Sequence, residues 1–159
     1  SAAGLNIMTK ALDTNSKSAQ HFLSRHRKPF PKIKEGQFLI NNGVLAAMDL
    51  SDGLVSDLNK LCNASKVSAE IGLPSLPVCS HLKKECGDIW KQLSLGGGED
   101  YELIFTAPPE IMNIITSNEQ FKFSVIGKIT ALKEDITIKD ENGSNFVPNQ
   151  NGWDHFGSS

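Results

Sequence analysis

The hydrophobic pattern changes period abruptly at Asp49-Leu50-Ser51-Asp52-Gly53, which reads as a strand followed directly by a helix. Before it, Val44-Leu45-Ala46-Ala47-Met48 is a short apolar run of the kind that forms a buried strand. After it, Leu54, Val55, Leu58, Leu61 and Cys62 recur at helical spacing, with Ser56, Asp57, Asn59, Lys60 and Asn63 assigned to the opposite face. Asp49 and Ser51 therefore stand at the carboxyl end of a strand, on one side of it, and Asp52 opens a helix. Strand ends and helix N-termini are frequent sites for phosphate and its metal ion.

A second acidic cluster has the same character: Gly96-Gly97-Gly98-Glu99-Asp100-Tyr101-Glu102. The glycines lack the Lys-Ser/Thr that follows a P-loop and the spacing of a dinucleotide fingerprint, so a phosphate cradle is not expected of them. They are expected to permit positive φ angles and a close approach of backbone to ligand, with Glu99 and Asp100 pointing into a cleft. The competing reading is a helix-to-strand turn with solvated acids. In the first cluster the competing reading is that Ser51 or Asp52 caps the helix. Capping leaves Asp49, a carboxylate closing an apolar strand, unexplained. Asp49, Ser51 and Asp52 together are hard oxygen donors of the kind that hold a nucleotide-bound magnesium ion. Trp153 either staples the tail to the core or stacks on a ligand. A planar cationic heterocycle would find a stacking face and carboxylates among Trp153, Glu99 and Asp100.

The chain of 159 residues suits one domain with a real core. Its 16 basic residues against 18 acidic ones give no basic field for nucleic acid. Arg25-His26-Arg27-Lys28 reads as a favourable helix C-terminus and solvated surface. No apolar run reaches the length of a membrane span, and no signal peptide is visible. Cys62, Cys79 and Cys86 form no Cys-x-x-Cys pair, so free thiols and a reducing, cytoplasmic compartment are expected. His21, His26, His81 and His155 lack metal-ligand spacing. Ser1-Ala2-Ala3-Gly4-Leu5 runs at once into a helical pattern without an initiator methionine, as in a chain that begins inside a larger protein.

Helices are expected over Leu5–Leu12, Ala19–Arg25, 53–64, 78–85 and 88–94, and after Pro108-Pro109. The second follows a break at 13–16 that can cap it. Strands are expected over 67–71, 101–106, 123–129 and 134–139, while Gly36–Asn42 suits a helix or a strand. The mixture indicates one α+β layered domain with a mixed sheet.

Three motifs in order, Ala47-Met48-Asp49-Leu50-Ser51-Asp52-Gly53-Leu54, Gly97-Gly98-Glu99-Asp100-Tyr101-Glu102-Leu103 and Gly152-Trp153-Asp154-His155-Phe156, resemble the thiamine-monophosphate kinase family. That family lies within the wider group of aminoimidazole-ribonucleotide synthetase, selenophosphate synthetase and hydrogenase-maturation proteins. The resemblance implies a three-layer α/β/α domain with a mixed sheet, forming residues 1–159 as a single C-terminal domain whose N-terminal partner half is absent. It implies ATP-dependent phosphorylation of thiamine monophosphate to thiamine diphosphate with magnesium, by direct in-line transfer. Asp49 and Asp52 would then ligate magnesium and Ser51 would contact ATP. Glu99 and Asp100 would contact the thiamine substrate, Glu99 foremost, and Trp153 would pack on its rings. The missing half would carry further metal ligands and a homodimer interface, leaving this chain inactive alone. Two other readings compete: another ATP-dependent synthetase of the same group, and a non-catalytic acidic binding or assembly domain. The second calls for an Asp-x-Asp-x-Asp-Gly loop, which the chain lacks.

Overall fold

The computed structural model describes residues 1–10, 15–132 and 136–149. Three helices come first: α1 (Ala2–Thr9), α2 (Lys17–Arg27) and α3 (Ile33–Asn41). Ser16 caps α2 through its side chain, which accepts from the Ala19 N–H at 3.0 Å. Asp13 and Thr14 of the expected break, and Leu12, lie outside the described residues. The ambiguous segment 36–42 is helical because α3 buries Leu39 almost completely and turns Phe38 onto the same core.

Strand β1 (Ala46–Asp49) leads into α4 (Leu54–Ser65). The strand β2 (Ser68–Gly72), α5 (Ser80–Cys86), α6 (Trp90–Gly96), β3 (Leu103–Thr106) and α7 (Pro109–Ser117) follow, then β4 (Gly127–Thr130) and β5 (Thr137–Lys139). Pro109 starts α7, where its missing N–H costs nothing.

The class is α+β, and among the described residues the strands divide into two sheets. β1 and β3 pair antiparallel, with Ala46 opposite Thr106 and Asp49 opposite Leu103. The second sheet is mixed, ordered β4-β2-β5, with β4 antiparallel and β5 parallel to β2. The apolar run 44–48, expected to be buried throughout, is not: Leu45 is 98% exposed while Val44 is buried. β1 has one partner strand and one covered face, so alternate side chains face outward.

Of the expected strand 123–129, residues from Gly127 onward form a strand on β2, and the Ile126 carbonyl accepts the Gly72 N–H at 2.9 Å. Phe121 and Phe123 instead join Phe38 and Phe105 in an aromatic cluster, with ring centroids 5.4–6.3 Å apart. Burial of aromatic surface outweighs a few more ladder hydrogen bonds here. Of the expected strand 134–139, Thr137–Lys139 pairs with β2, and Glu134 lies outside the described residues.

Among the described residues two apolar cores result. The larger joins α4, β2, α6 and β5 through Leu54, Val55, Leu58, Ile71, Leu73, Trp90, Leu95 and Ile138. The smaller centres on Leu39, Val44 and Ile115 beneath Phe38 and Phe105. Cys62 belongs to the larger core, and burial there pushes its thiol up from the ordinary value. Cys86 is raised by burial as well, then by Glu85 and Cys79, whereas Cys79 is exposed. Because the thiolate is the nucleophile, alkylation at pH 8 is expected to label Cys79 first and Cys62 last. Mass spectrometry of a time course checks the order. Native labelling of Cys62 as fast as in urea would show that this core is not closed.

Candidate functional site

The two acidic clusters are bound to each other by backbone. Leu50 N–H donates to the Glu102 carbonyl at 2.8 Å, Tyr101 N–H to the Leu50 carbonyl at 2.9 Å, and Glu99 N–H to the Ser51 carbonyl at 2.7 Å. These bonds extend the β1–β3 pairing past Asp49 and Leu103, so both loops leave the sheet at one end. The glycines make the contact possible, though not as expected. None of Gly96, Gly97 and Gly98 has positive φ; the positive angles fall on Glu99 (63°) and Tyr101 (50°). A side chain on Gly98 would put its Cβ 2.6 Å from the Ser51 carbonyl oxygen. The close approach is therefore of backbone to backbone, between the clusters.

No side chain caps α4. Its N-cap is Gly53, at φ 113° and ψ 154°, so capping by Ser51 or Asp52 is not the reason for those residues. Asp57 takes over the organising role. Its Oδ2 accepts the Ser51 and Asp52 N–H groups, each at 2.9 Å, and its Oδ1 lies 2.7 Å from Lys60 Nζ. Lys60 also binds the Asp52 carboxylate. Asp57 is fully buried, contrary to its assignment to the polar face. The signal was present: Asp57 follows Leu54 by three positions and precedes Leu61 by four, which sets it beside the apolar stripe. A carboxylate there needs partners, and the loop's N–H groups supply them. Lys60 is held above its ordinary pKa by its hydrogen bonds to Asp52 and then to Asp57.

Asp49 ends β1 with its side chain exposed, and Ser51 and Asp52 are half-buried beside it. Asp49, Ser51 and Asp52 thus share one short loop. Two carboxylates and a hydroxyl suit magnesium, which keeps waters and phosphate oxygens in its shell. Asp57 is committed to the backbone. Among the described residues no three His, Cys, Asp or Glu side chains converge as a cation cage.

The second cluster meets basic groups from the end of α2 and from Lys32, just before α3. His26 Nδ1 lies 3.3 Å from Glu99 Oε2, Arg25 is 2.5 Å from Glu102, and Lys32 is 3.1 Å from Glu102. Asp100 Oδ1 lies 2.5 Å from the Ser1 nitrogen. Arg25 and His26, expected as solvated helix-end charges, instead cover the acidic turn. The Arg25–Glu102 pair is about two-fifths exposed on both sides and is worth at most about 1 kcal/mol. Sequence spacing could not have linked residues this far apart in the chain. Trp153, Asp154, His155 and Phe156 lie outside the described residues. No described helix is long and apolar enough to cross a membrane.

Comparison with known proteins gives a consistent result. The thiamine-monophosphate kinase of Escherichia coli (strain K12) is 37% identical over 98% of this chain and 49% of its own length. That of Haemophilus influenzae is 37% identical over the whole chain and 50% of its own length. A solved structure, AaThiL complexed with AMPPCP and TMP, superposes with a TM-score of 0.79 at 31% identity, over 98% of this chain and 48% of that one. The chain spans about half the length of the curated relatives it matches. A profile for "AIR synthase related protein, C-terminal domain" matches residues 2–139, and with the shared fold this shows that the chain belongs to that family.

Proposed function

We propose that this chain is the C-terminal half of an ATP-dependent kinase that converts thiamine monophosphate to thiamine diphosphate. The observation that carries the proposal is the backbone junction of the two acidic loops, which brings Asp49, Ser51 and Asp52 beside Glu99 and Asp100. Relatives named thiamine-monophosphate kinase, and the likeness to AaThiL with AMPPCP and TMP, support that reading.

In this proposal Asp49 and Asp52 hold magnesium and Ser51 contacts ATP. Magnesium, when bound, would neutralise the phosphate charge that keeps the two substrates apart. Glu99, with Asp100, contacts the cationic thiamine moiety, and Trp153 stacks on its rings. The nucleophile is a phosphate oxygen already anionic near neutral pH, so no side chain needs to act as a strong base. What the chain supplies is alignment and fixed charge for a direct in-line transfer. The other half of the polypeptide contributes the remaining metal ligands and the homodimer contact, the isolated chain is inactive, and the enzyme works in the cytoplasm.

The test is formation of thiamine diphosphate from thiamine monophosphate, ATP and Mg²⁺ by the complete polypeptide that carries this chain. Asp49→Asn is expected to lower kcat by about 100-fold or more. A complete polypeptide that forms no thiamine diphosphate would overturn the substrate, and a phosphorylated residue trapped during turnover would overturn direct transfer.

A further inference from the structure

We infer that Asp57 is a positioning residue that makes the loop before α4 a cation-taking site and withholds the Ser51 and Asp52 N–H groups from phosphate. This rests on the functional reading above and deepens it. A loop between a strand end and a helix N-terminus ordinarily presents free N–H groups, which bind phosphate directly. Here the Ser51 and Asp52 N–H groups both point inward at Asp57 Oδ2 and are used up. The same contact places a carboxylate group in the first turn of α4, at the positive end of the helix dipole.

The Ser51 and Asp52 N–H groups thus face Asp57, and the Ser51 carbonyl oxygen faces the second acidic loop. The Ser51 carbonyl holds Glu99 N–H, and the Asp52 carboxylate reaches Lys60, the ammonium that also bridges to Asp57 Oδ1. A bare phosphate approaching this loop meets carboxylates and no free N–H from residues 51 and 52. A phosphate carrying a divalent cation meets ligands for that cation. Asp57 itself is fully buried and has its oxygens engaged, so it acts through the loop and not as a ligand.

The test compares wild type and Asp57→Asn in the complete polypeptide. Binding of AMPPCP is measured with Mn²⁺ and with EDTA, and bound Mn²⁺ is counted by electron paramagnetic resonance. The expected result is an inversion. Mn²⁺ affinity falls by about 10- to 100-fold, as when outer partners of metal ligands are removed. Ion-free AMPPCP binding rises, because a repelling charge is gone. A merely structural role would weaken both together, and that result overturns the inference. So does a wild type that binds AMPPCP equally with and without the ion, or not at all. Asp57→Ser, a smaller neutral side chain that keeps an acceptor oxygen, is the second variant should Asp57→Asn fail to fold. Loss of fold in both would make Asp57 a stability residue and overturn the assignment. A wild type that binds Mn²⁺–AMPPCP but forms no thiamine diphosphate overturns the substrate reading alone, since the Asp57 comparison still stands.

Discussion

Gly53→Ala is expected to destabilise the chain by about 3 kcal/mol or more and to separate the two acidic loops. Two causes add. Gly53 sits at φ 113° and ψ 154°, a region that residues with a Cβ essentially do not enter, at a cost of about 1–3 kcal/mol. An added Cβ would also lie 2.9 Å from both the carbonyl carbon and oxygen of Gly96. Neither neighbour is a flexible side-chain end, so α6 or the 50–53 loop must shift. The Gly53 carbonyl accepts Asp57 N–H at 2.9 Å, so the movement also disturbs the start of α4. Urea unfolding monitored by tryptophan fluorescence and circular dichroism measures the loss. An unfolding free energy within about 1 kcal/mol of wild type, with unchanged slope, would show that the junction is looser than described.

Leu95→Ala is expected to cost about 3 kcal/mol, within the range of about 2–5 kcal/mol for a buried leucine truncated to alanine. Leu95 has no exposed surface and belongs to the larger core with Leu54, Leu58 and Trp90. It lies in the last turn of α6, directly before the glycines that meet Gly53 and Ser51. A cavity there loosens the support of the site as well as the core. The thermal midpoint should fall by roughly 6–12 °C for a domain of this size. Ile40→Ala is the control: Ile40 is 72% exposed, and its change should stay within about 0.5 kcal/mol. Equal shifts for both variants would contradict the assignment of Leu95 to the core.

The elements read from periodicity are those whose apolar residues recur over several turns or alternate cleanly. α4, β2 and α7 were legible for that reason, as was the α2 cap at Ser16. Phe123 to Ile126, the first half of the expected strand 123–129, was not: its pattern suits a strand, and only Phe38 and Phe105, distant in sequence, show that Phe123 packs elsewhere. In the first loop, the change of period located Asp49, Ser51 and Asp52 at a strand-to-helix turn. It misplaced Asp57, because a polar residue at the border of an apolar stripe can face either way until a partner is known. Here the partner is the loop's own backbone.

The sequence alone determined the α+β class, the strand–loop–helix order at Asp49–Gly53 and the presence of two acidic glycine-flanked turns, because these follow from local period and turn chemistry. Tertiary structure decided that the two turns are one place. The Leu50, Ser51, Tyr101 and Glu102 bonds that join them close a separation of about fifty residues, and no local pattern encodes such a contact. It also decided that Gly53 and Gly98 serve that junction, and that Arg25, His26 and Lys32 face the acids of the second turn. Long-range pairing depends on which surfaces remain to be buried once each element has formed, and that is settled only when the elements pack.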